Sequence, residues 1–322
     1  MRRATLIVQT FSLSYVENFV RYLYGVLQRH LDPDALLVVC DEIDEADHPD
    51  GVILVIGENF RPFRRRPGCR YAFVNLSVVT LLGNPLSASL LGHRQVFRKR
   101  RMLNAKLPLF DVLLDYYPPQ TRKLQRQLPI PVLGFDVAIA AARPLPMAER
   151  DFDVCFVGGM TARRKQVLDE LARRGLALSP QSGAPIEDIA ARSRCCLNVH
   201  TERSNHLEIP RLVAAFSRGC PVVTETSFGL SDIAADRFAS EYRLPALADG
   251  VEAMLADPDR LRRLGADCAA WYRDTYLPRA EARWAEICGN IAERQAGPSG
   301  TSRPGVSSLA GSTSMTAGID RA

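Results

Sequence analysis

Lysine is scarce in this sequence: of 41 basic residues, only Lys99, Lys106, Lys123 and Lys165 are not arginine. Arginine forks suit phosphate and carboxylate, but the same bias follows from genome composition, so alone it assigns nothing. Long apolar runs are missing too. None approaches the roughly 18 to 20 residues needed to cross a bilayer, and the opening MRRATLIVQTFSLSYV is too short in its apolar part for a secretory signal. ATLIV reads instead as a first buried strand, and a cytoplasmic protein is expected. The eight cysteines (Cys40, Cys69, Cys155, Cys195, Cys196, Cys220, Cys268 and Cys288) form no C-x-x-C pair and mostly stand in apolar segments, which argues against a zinc site or a disulfide framework. Walker A, G-x-G-x-x-G, G-x-S-x-G and H-E-x-x-H patterns are all absent, so the commonest nucleotide, dinucleotide, hydrolase and zinc-protease chemistries lose their signatures. Nucleic-acid binding gains no support either, for lack of a zinc finger, an RNP-like aromatic motif or a basic heptad helix.

What is present is an α/β rhythm over 322 residues, enough for two domains of about 150 residues each. Apolar runs at 4–9, 35–40, 51–57, 71–77, 110–116 and 130–135 read as strands, with helical periodicity at 14–30 and 119–128. The stretch 140–151, AAARPLPMAERD, breaks the rhythm with two prolines and reads as a linker. A second series follows: strand FDVCFVGG (152–159), helix 162–175 stopped by Gly175, strand CCLNVH (195–200), helix 208–219 stopped by Gly219, and strand CPVVTE (220–225). Residues 251–294 are helical with an interruption at Pro258. The expected division is a first domain over 1–139, the linker 140–151, a second domain over 152–269, a final helix over 270–295 and a disordered Gly/Ser/Thr/Pro-rich tail over 296–322. The net charge is +5. Arginine clusters at 61–70 and 93–101 are dense enough to meet an anionic partner, or else form solvated basic faces.

Two stretches carry candidate chemistry. In FVGGMTARRK a buried strand delivers Gly158 and Gly159 to a helix start, where small residues let backbone N–H groups approach an anion and Arg163 and Arg164 could neutralise it. The plainer reading is a tight turn followed by solvated arginines. In CLNVHTERSNHLEIPRL the carboxyl end of a strand offers His200, Thr201 and Glu202, then His206, Glu208 and Arg211, at the edge where open α/β sheets bind ligands. Glu208 also suits a helix N-terminus, and the spacing of His200, His206 and Glu208 is not that of a metal site. Asp115 ends a strand near the same kind of edge, where it is either a capping residue or an acid–base group.

The order and spacing of DVCFVGGMTARRKQVLDEL, CLNVHTE and LEIPRLVAAFSRGCPVVTE resemble the C-terminal domain of GT-B glycosyltransferases, in particular the glycosyltransferase group 1 and spore-maturation-like group. FDVLLDYYPPQTRKLQRQLPIPVLGFD is similar to the end of that family's first domain. The resemblance implies two Rossmann-like domains facing a cleft, with the final helix crossing back to the first. It implies a metal-independent transfer of sugar from a nucleotide-diphosphate donor, without a cofactor, to a glycan, lipid-linked or other surface-polymer acceptor. Gly158, Gly159, Arg163, Arg164, His200, Glu208, Arg211 and Glu225 would then line the donor side, and Asp115 or His93 would be the acceptor's base. The basic clusters could hold such an enzyme at an anionic membrane as a peripheral protein. One position departs from the family pattern: Ala214 stands where relatives carry an acid toward the donor. Glu208 or Glu225 substitutes for it, or donor binding is altered or lost, which leaves a non-catalytic protein that binds a glycan or a partner as the alternative.

Overall fold

A computed structural model describes residues 3–57, 59–76, 105–180, 185–200, 206–233 and 236–293, excluding the side chains of residues 14 and 15. His93, the 93–101 arginine cluster and the tail 296–322 lie outside these residues.

Strands β1 (Ala4–Val8) and β3 (Val52–Ile56) are continuous apolar runs buried at every residue. Such runs suit parallel strands covered on both faces, where no polar alternation is required. With β2 (Leu36–Val39), β4 (Arg70–Asn75), β5 (Val112–Asp115) and β6 (Val132–Gly134) they form a six-stranded sheet in the order β2-β1-β3-β4-β5-β6. All its pairings are parallel. Alternate residues leave by opposite faces. Leu6, Val8, Leu54 and Ile56 pack with helix α1 (Thr10–His30), while Ile7, Ile53 and Val55 join Phe60, Phe63, Phe73 and Phe110. Helix α2 (Pro118–Gln127) connects β5 to β6. Helix α1 starts four residues before the periodic segment and is kinked at Val16, whose φ of −131° is not helical. A 3-10 turn rather than a helix follows β2, so that edge strand leaves Leu36, Leu37 and Val39 exposed.

The second sheet has the order β10-β9-β8-β7, again parallel, from β7 (Phe152–Cys155), β8 (Ser193–Asn198), β9 (Val222–Glu225) and β10 (Ala239–Tyr242). Its helices are α3 (Ala162–Arg173), α4 (Ile186–Ala191), α5 (Ile209–Phe216) and α6 (Leu247–Leu255). Gly219 ends the α5 turn at φ +60°, where an added Cβ would stand 2.8 Å from the Gly265 carbonyl oxygen, so both conformation and space require glycine. Between the sheets the chain forms only a 3-10 turn at Met147–Glu149, followed by buried Arg150, which donates to the carbonyls of Leu145, Ser193 and Arg218.

The closing helical segment has two interruptions rather than one. Asp257 caps α7 (Pro258–Trp271) by accepting from the Arg260 amide at 2.9 Å, with Pro258 in the first turn where its missing N–H costs nothing. The second interruption is a π-helical turn, Tyr272–Tyr276, before α8 (Leu277–Glu293). Pro278 lacks an amide and would crowd the carbonyl four residues earlier, and a widened turn relieves that conflict. The turn also aims side chains at the chain leaving β6. Tyr272 Oη accepts from Ile139 N and donates to Ile139 O, Tyr276 Oη donates to Val137 O, and Trp284 Nε1 donates to Asp136 O. Trp284 packs against Phe135 at 5.0 Å between ring centres, and Glu281 accepts from Tyr22 and Arg29 of α1. One apolar cluster therefore runs from the first sheet through α8 to Cys196, Leu212 and Val222 of the second.

Among the described residues no helix is long and apolar enough to cross a membrane. In the 61–70 cluster, Arg65 Nη2 donates to both carboxylate oxygens of Asp111, Arg66 donates to the carbonyls of His48 and Ala46, and Arg61 pairs with Glu42.

Trp284→Ala should lower folding stability by about 3–5 kcal/mol through the cavity it leaves. The midpoint of urea unfolding checks this, and a shift below a third of that size would show that α8 does not join the two sheets.

Candidate functional site

Parallel pairing brings the carboxyl ends of β7, β8 and β9 to one edge of the second sheet, and the chain beyond each end supplies one wall of a cluster. Phe156 to Gly159 follow β7, Val199 and His200 follow β8, and Glu225 closes β9. Two arginines arrive from helix starts. Thr161 caps α3 with its hydroxyl accepting from Arg164 N, which sets Arg164 in the first turn. Its guanidinium is buried, donating to the carbonyls of Val199 (3.0 Å) and Gly159 (2.8 Å) and to Glu208 Oε1 (2.9 Å). Arg211, in the first turn of α5, donates to the Val157 carbonyl at 2.9 Å and pairs with Asn198 Oδ1 and Glu208 Oε2. Both guanidinium carbons stand 5.1 Å from the Phe156 ring centre, a cation–π arrangement that holds charge against an apolar surface. Burial lowers the Arg164 pKa to about 10, with Glu208 opposing, so it remains charged at neutral pH.

Gly158 is the residue that permits this pairing. A Cβ there would stand 2.8 Å from Arg211 Nη2 and 3.2 Å from Arg164 Nη1, and its φ is +151°. Gly159 carries no such demand, having open space where a Cβ would be. Arg163 pairs with Glu225, whose Oε2 also accepts from the His200 amide at 3.3 Å. Among the described residues three guanidinium groups thus meet two carboxylates at the N-terminus of α3, and the excess is one positive charge plus the helix dipole. Such an arrangement binds anions. Among the described residues no group of three or more His, Cys, Asp and Glu side chains could hold a metal ion.

The two histidines of the loop part company. His200 is buried beside the arginines, with Nε2 at 3.0 Å from Ser227 Oγ and 3.3 Å from the Thr226 carbonyl. His206 lies edge-on to Tyr117 of the first sheet at 5.7 Å, and Tyr117 Oη donates to the Phe228 carbonyl. Arg122 and Asp232 add an ion pair at 3.8 Å across the same junction. Thr201 and Glu202 lie outside the described residues.

Asp115 corrects one expectation. Its carboxylate is fully buried and accepts from Asn75 Nδ2 (2.8 Å), Gln120 Nε2 (2.7 Å) and Thr121 Oγ1 (2.8 Å). Burial pushes its pKa up against the pull of those donors. With its oxygens committed to β4 and α2 it serves as a strand-end cap rather than as an acceptor's base. Ala214 is likewise core, packed with Leu212, Val213 and Phe216. Phe156, Asn198 and Ser227 are site residues that sequence reasoning missed. Asn198 was the one with a signal, as an amide inside an otherwise apolar strand. On the first sheet, the carboxyl ends of β3 and β4 and the start of α1 surround a cavity of about 260 Å³ lined by Phe11, Val16, Gly57, Asn59, Asn75 and Leu76 among others.

No family model matches this sequence, and no curated protein matches it either. Solved structures do. A sucrose-phosphate synthase from Thermosynechococcus elongatus superposes with a TM-score of 0.58 at 11% identity, covering 91% of this chain and 99% of that one. WaaG, a glycosyltransferase involved in lipopolysaccharide biosynthesis, gives 0.59 at 10% identity over 89% and 99%. A mutant of the phage T4 glucosyltransferase BGT, solved with UDP-glucose, gives 0.54 at 11% identity over 90% and 99%. The chain is thus a GT-B-fold protein, with two parallel-sheet α/β units. At about one identical residue in ten, the likeness is one of fold.

Burial draws the His200 pKa from 6.5 down to about 4, with Glu208 opposing. The folded value lies below the unfolded one, so the stability contribution is full above pH 6.5 and is lost as pH falls toward 4. Urea unfolding between pH 7 and pH 5 should show wild type losing stability faster than His200→Asn, by up to about 1.4 kcal/mol per pH unit. Equal slopes for the two proteins would refute a neutral buried imidazole.

Proposed function

We propose that this chain is a glycosyltransferase that moves a sugar from a nucleotide-diphosphate donor to a glycan, lipid-linked or other surface-polymer acceptor. The observation that carries the reading is the convergence of Arg163, Arg164 and Arg211 on the carboxyl ends of β7, β8 and β9, beside the N-terminus of α3. Sugar transfer leaves a nucleoside diphosphate whose charge grows in the transition state, and preorganised cations with helix-end amides stabilise that charge selectively. The three guanidinium groups support a transfer without a divalent ion or a cofactor. The phage T4 glucosyltransferase was solved with UDP-glucose and WaaG is involved in lipopolysaccharide biosynthesis, and both likenesses support a sugar-nucleotide reading here.

The candidate place for the acceptor is the cavity at the carboxyl edge of the first sheet. The burial and hydrogen bonds of Asp115 support its capping reading over a role as the base. The non-catalytic alternative draws on Ala214, whose place in the core leaves Glu208 and Glu225, both held by arginine, as the acids of the cluster among the described residues.

A donor at 100 times its dissociation constant should add about 2.7 kcal/mol to stability, so one of UDP-, GDP-, ADP- or dTDP-glucose should raise the melting temperature by several degrees. Arg163→Gln should cut that donor's affinity about tenfold or more through the lost charge-assisted contact. Slow hydrolysis of the bound donor, read as nucleoside diphosphate release, should persist in EDTA. No shift and no release with any donor would overturn the reading. A shift without release or transfer would favour the non-catalytic protein.

A further inference from the structure

The span 31–50, LDPDALLVVCDEIDEADHPD, holds eight acidic residues and no lysine or arginine, in a chain whose net charge is +5. At its centre lies β2, the outermost strand of the first sheet, which pairs with β1 alone. Cys40 N donates to the Val8 carbonyl, so the backbone groups of Leu36, Val38 and Cys40 turn toward β1 and those of Leu37 and Val39 turn outward. Among the described residues no strand pairs with that outer side. Side chains add to the exposure. Leu36, Leu37 and Val39 are 40%, 39% and 44% exposed, while Val38 and Cys40 pack toward the Phe60 cluster. Proteins blunt such an edge with lysine, proline, a bulge or a covering helix. Here the pairing with β1 runs from Leu36 to Val39 without a bulge, and the 3-10 turn Ile43–Glu45 follows in place of a helix.

Acids frame the strand instead. Asp34 is exposed before it, and Asp41, Asp44, Glu45 and Asp47 are exposed after it. Arg61 pairs with Glu42 and Arg66 reaches the carbonyls of Ala46 and His48, but the acids of the span outnumber these cations. That charge selects among occupants. In an antiparallel pair of two β2 strands with Leu37 opposite Val39, Asp34 would face Glu42 at both ends, and like charges so placed are destabilising. An anionic membrane is repelled by the same acids. We propose that β2 docks an extended peptide of a partner protein as an added antiparallel strand, with basic residues preceding an apolar stretch of β-branched type. Antiparallel pairing is the more stable kind, and it sets the amino end of the peptide beside Asp41, Asp44, Glu45 and Asp47. Leu37 and Val39 supply the main-chain bonds, the exposed apolar side chains meet those of the peptide, and the acids choose the basic flank. The surface lies on the first sheet and stands independently of the donor-site reading.

Fluorescence anisotropy of two labelled peptides with the full chain tests both parts of the surface. RRTVTVTV should bind about tenfold or more tighter than EETVTVTV, and the gap should narrow as salt rises from about 50 to about 500 mM. Val39→Pro removes an outward N–H at an edge position that tolerates proline, and should weaken RRTVTVTV about tenfold. Leu37→Lys keeps the backbone donor and should weaken the same peptide by a similar factor through like charge, so the test survives if the proline variant does not fold. Asp41→Lys combined with Glu45→Lys should bring the two peptides within about threefold of each other. Melting curves establish which variants are folded. Binding of neither peptide, equal binding of both by wild type, or RRTVTVTV binding that the folded edge variants leave unchanged would overturn the proposal. Sedimentation showing that the chain alone is a dimer that Leu37→Lys dissociates would overturn it as well, by giving the edge to a second copy.

Discussion

Two guanidinium groups buried against one aromatic ring govern the cleft edge of the second sheet. Taking Arg164 and Arg211 out of water costs several kcal/mol apiece unless their donors are met. Backbone carbonyls at the ends of β7 and β8, the Asn198 amide oxygen and Glu208 meet them. This demand explains otherwise unrelated features. Gly158 lacks a side chain because a Cβ would collide with Arg211, Thr161 caps α3 so that Arg164 starts its first turn, and Glu208 opens α5 within reach of both cations. The same commitments make Arg164 and Arg211 framework as much as contact, and leave Arg163 with its Glu225 partner at the more open side.

The fold supplies that edge and faces it with another. A parallel sheet places all its strand ends, and hence its connecting turns, together. Two such sheets, joined through the closing helix, give two carboxyl edges in one molecule. The hold is specific: Tyr272, Tyr276 and Trp284 bond the chain leaving β6, and the π turn that aims the tyrosines exists because Pro278 follows. A second junction, between Tyr117, His206 and Phe228, closes the other side. His206, which sequence proximity grouped with His200, serves that junction.

Much of the cluster was legible as residue types at strand ends. Gly158 and the arginines after it, and His200, Glu208 and Arg211 after the next strand, stand where a parallel sheet exposes polar groups. Their partners were not legible. Arg164 meets Glu208 from 44 residues away and Arg163 meets Glu225 from a third strand, pairings set by sheet order and not by spacing. Asp115 shows the limit most plainly. As a strand-terminal acid it has two readings, and only the approach of Asn75 from β4 and of Gln120 and Thr121 from α2 decides for the cap.

Local chemistry in the chain determined the α/β class, most strand runs and the helix stops, because apolar period, β-branching and glycine or proline punctuation act over a few residues. It also determined that the second unit would present arginines beside glycines at a strand end. Tertiary structure alone decided which sheet edge faces which, which acids neutralise which arginines, which histidine points inward and which aspartate is sealed. Those outcomes depend on contacts between segments far apart in the chain, where burial and the desolvation of charge, rather than any local preference, select the partner.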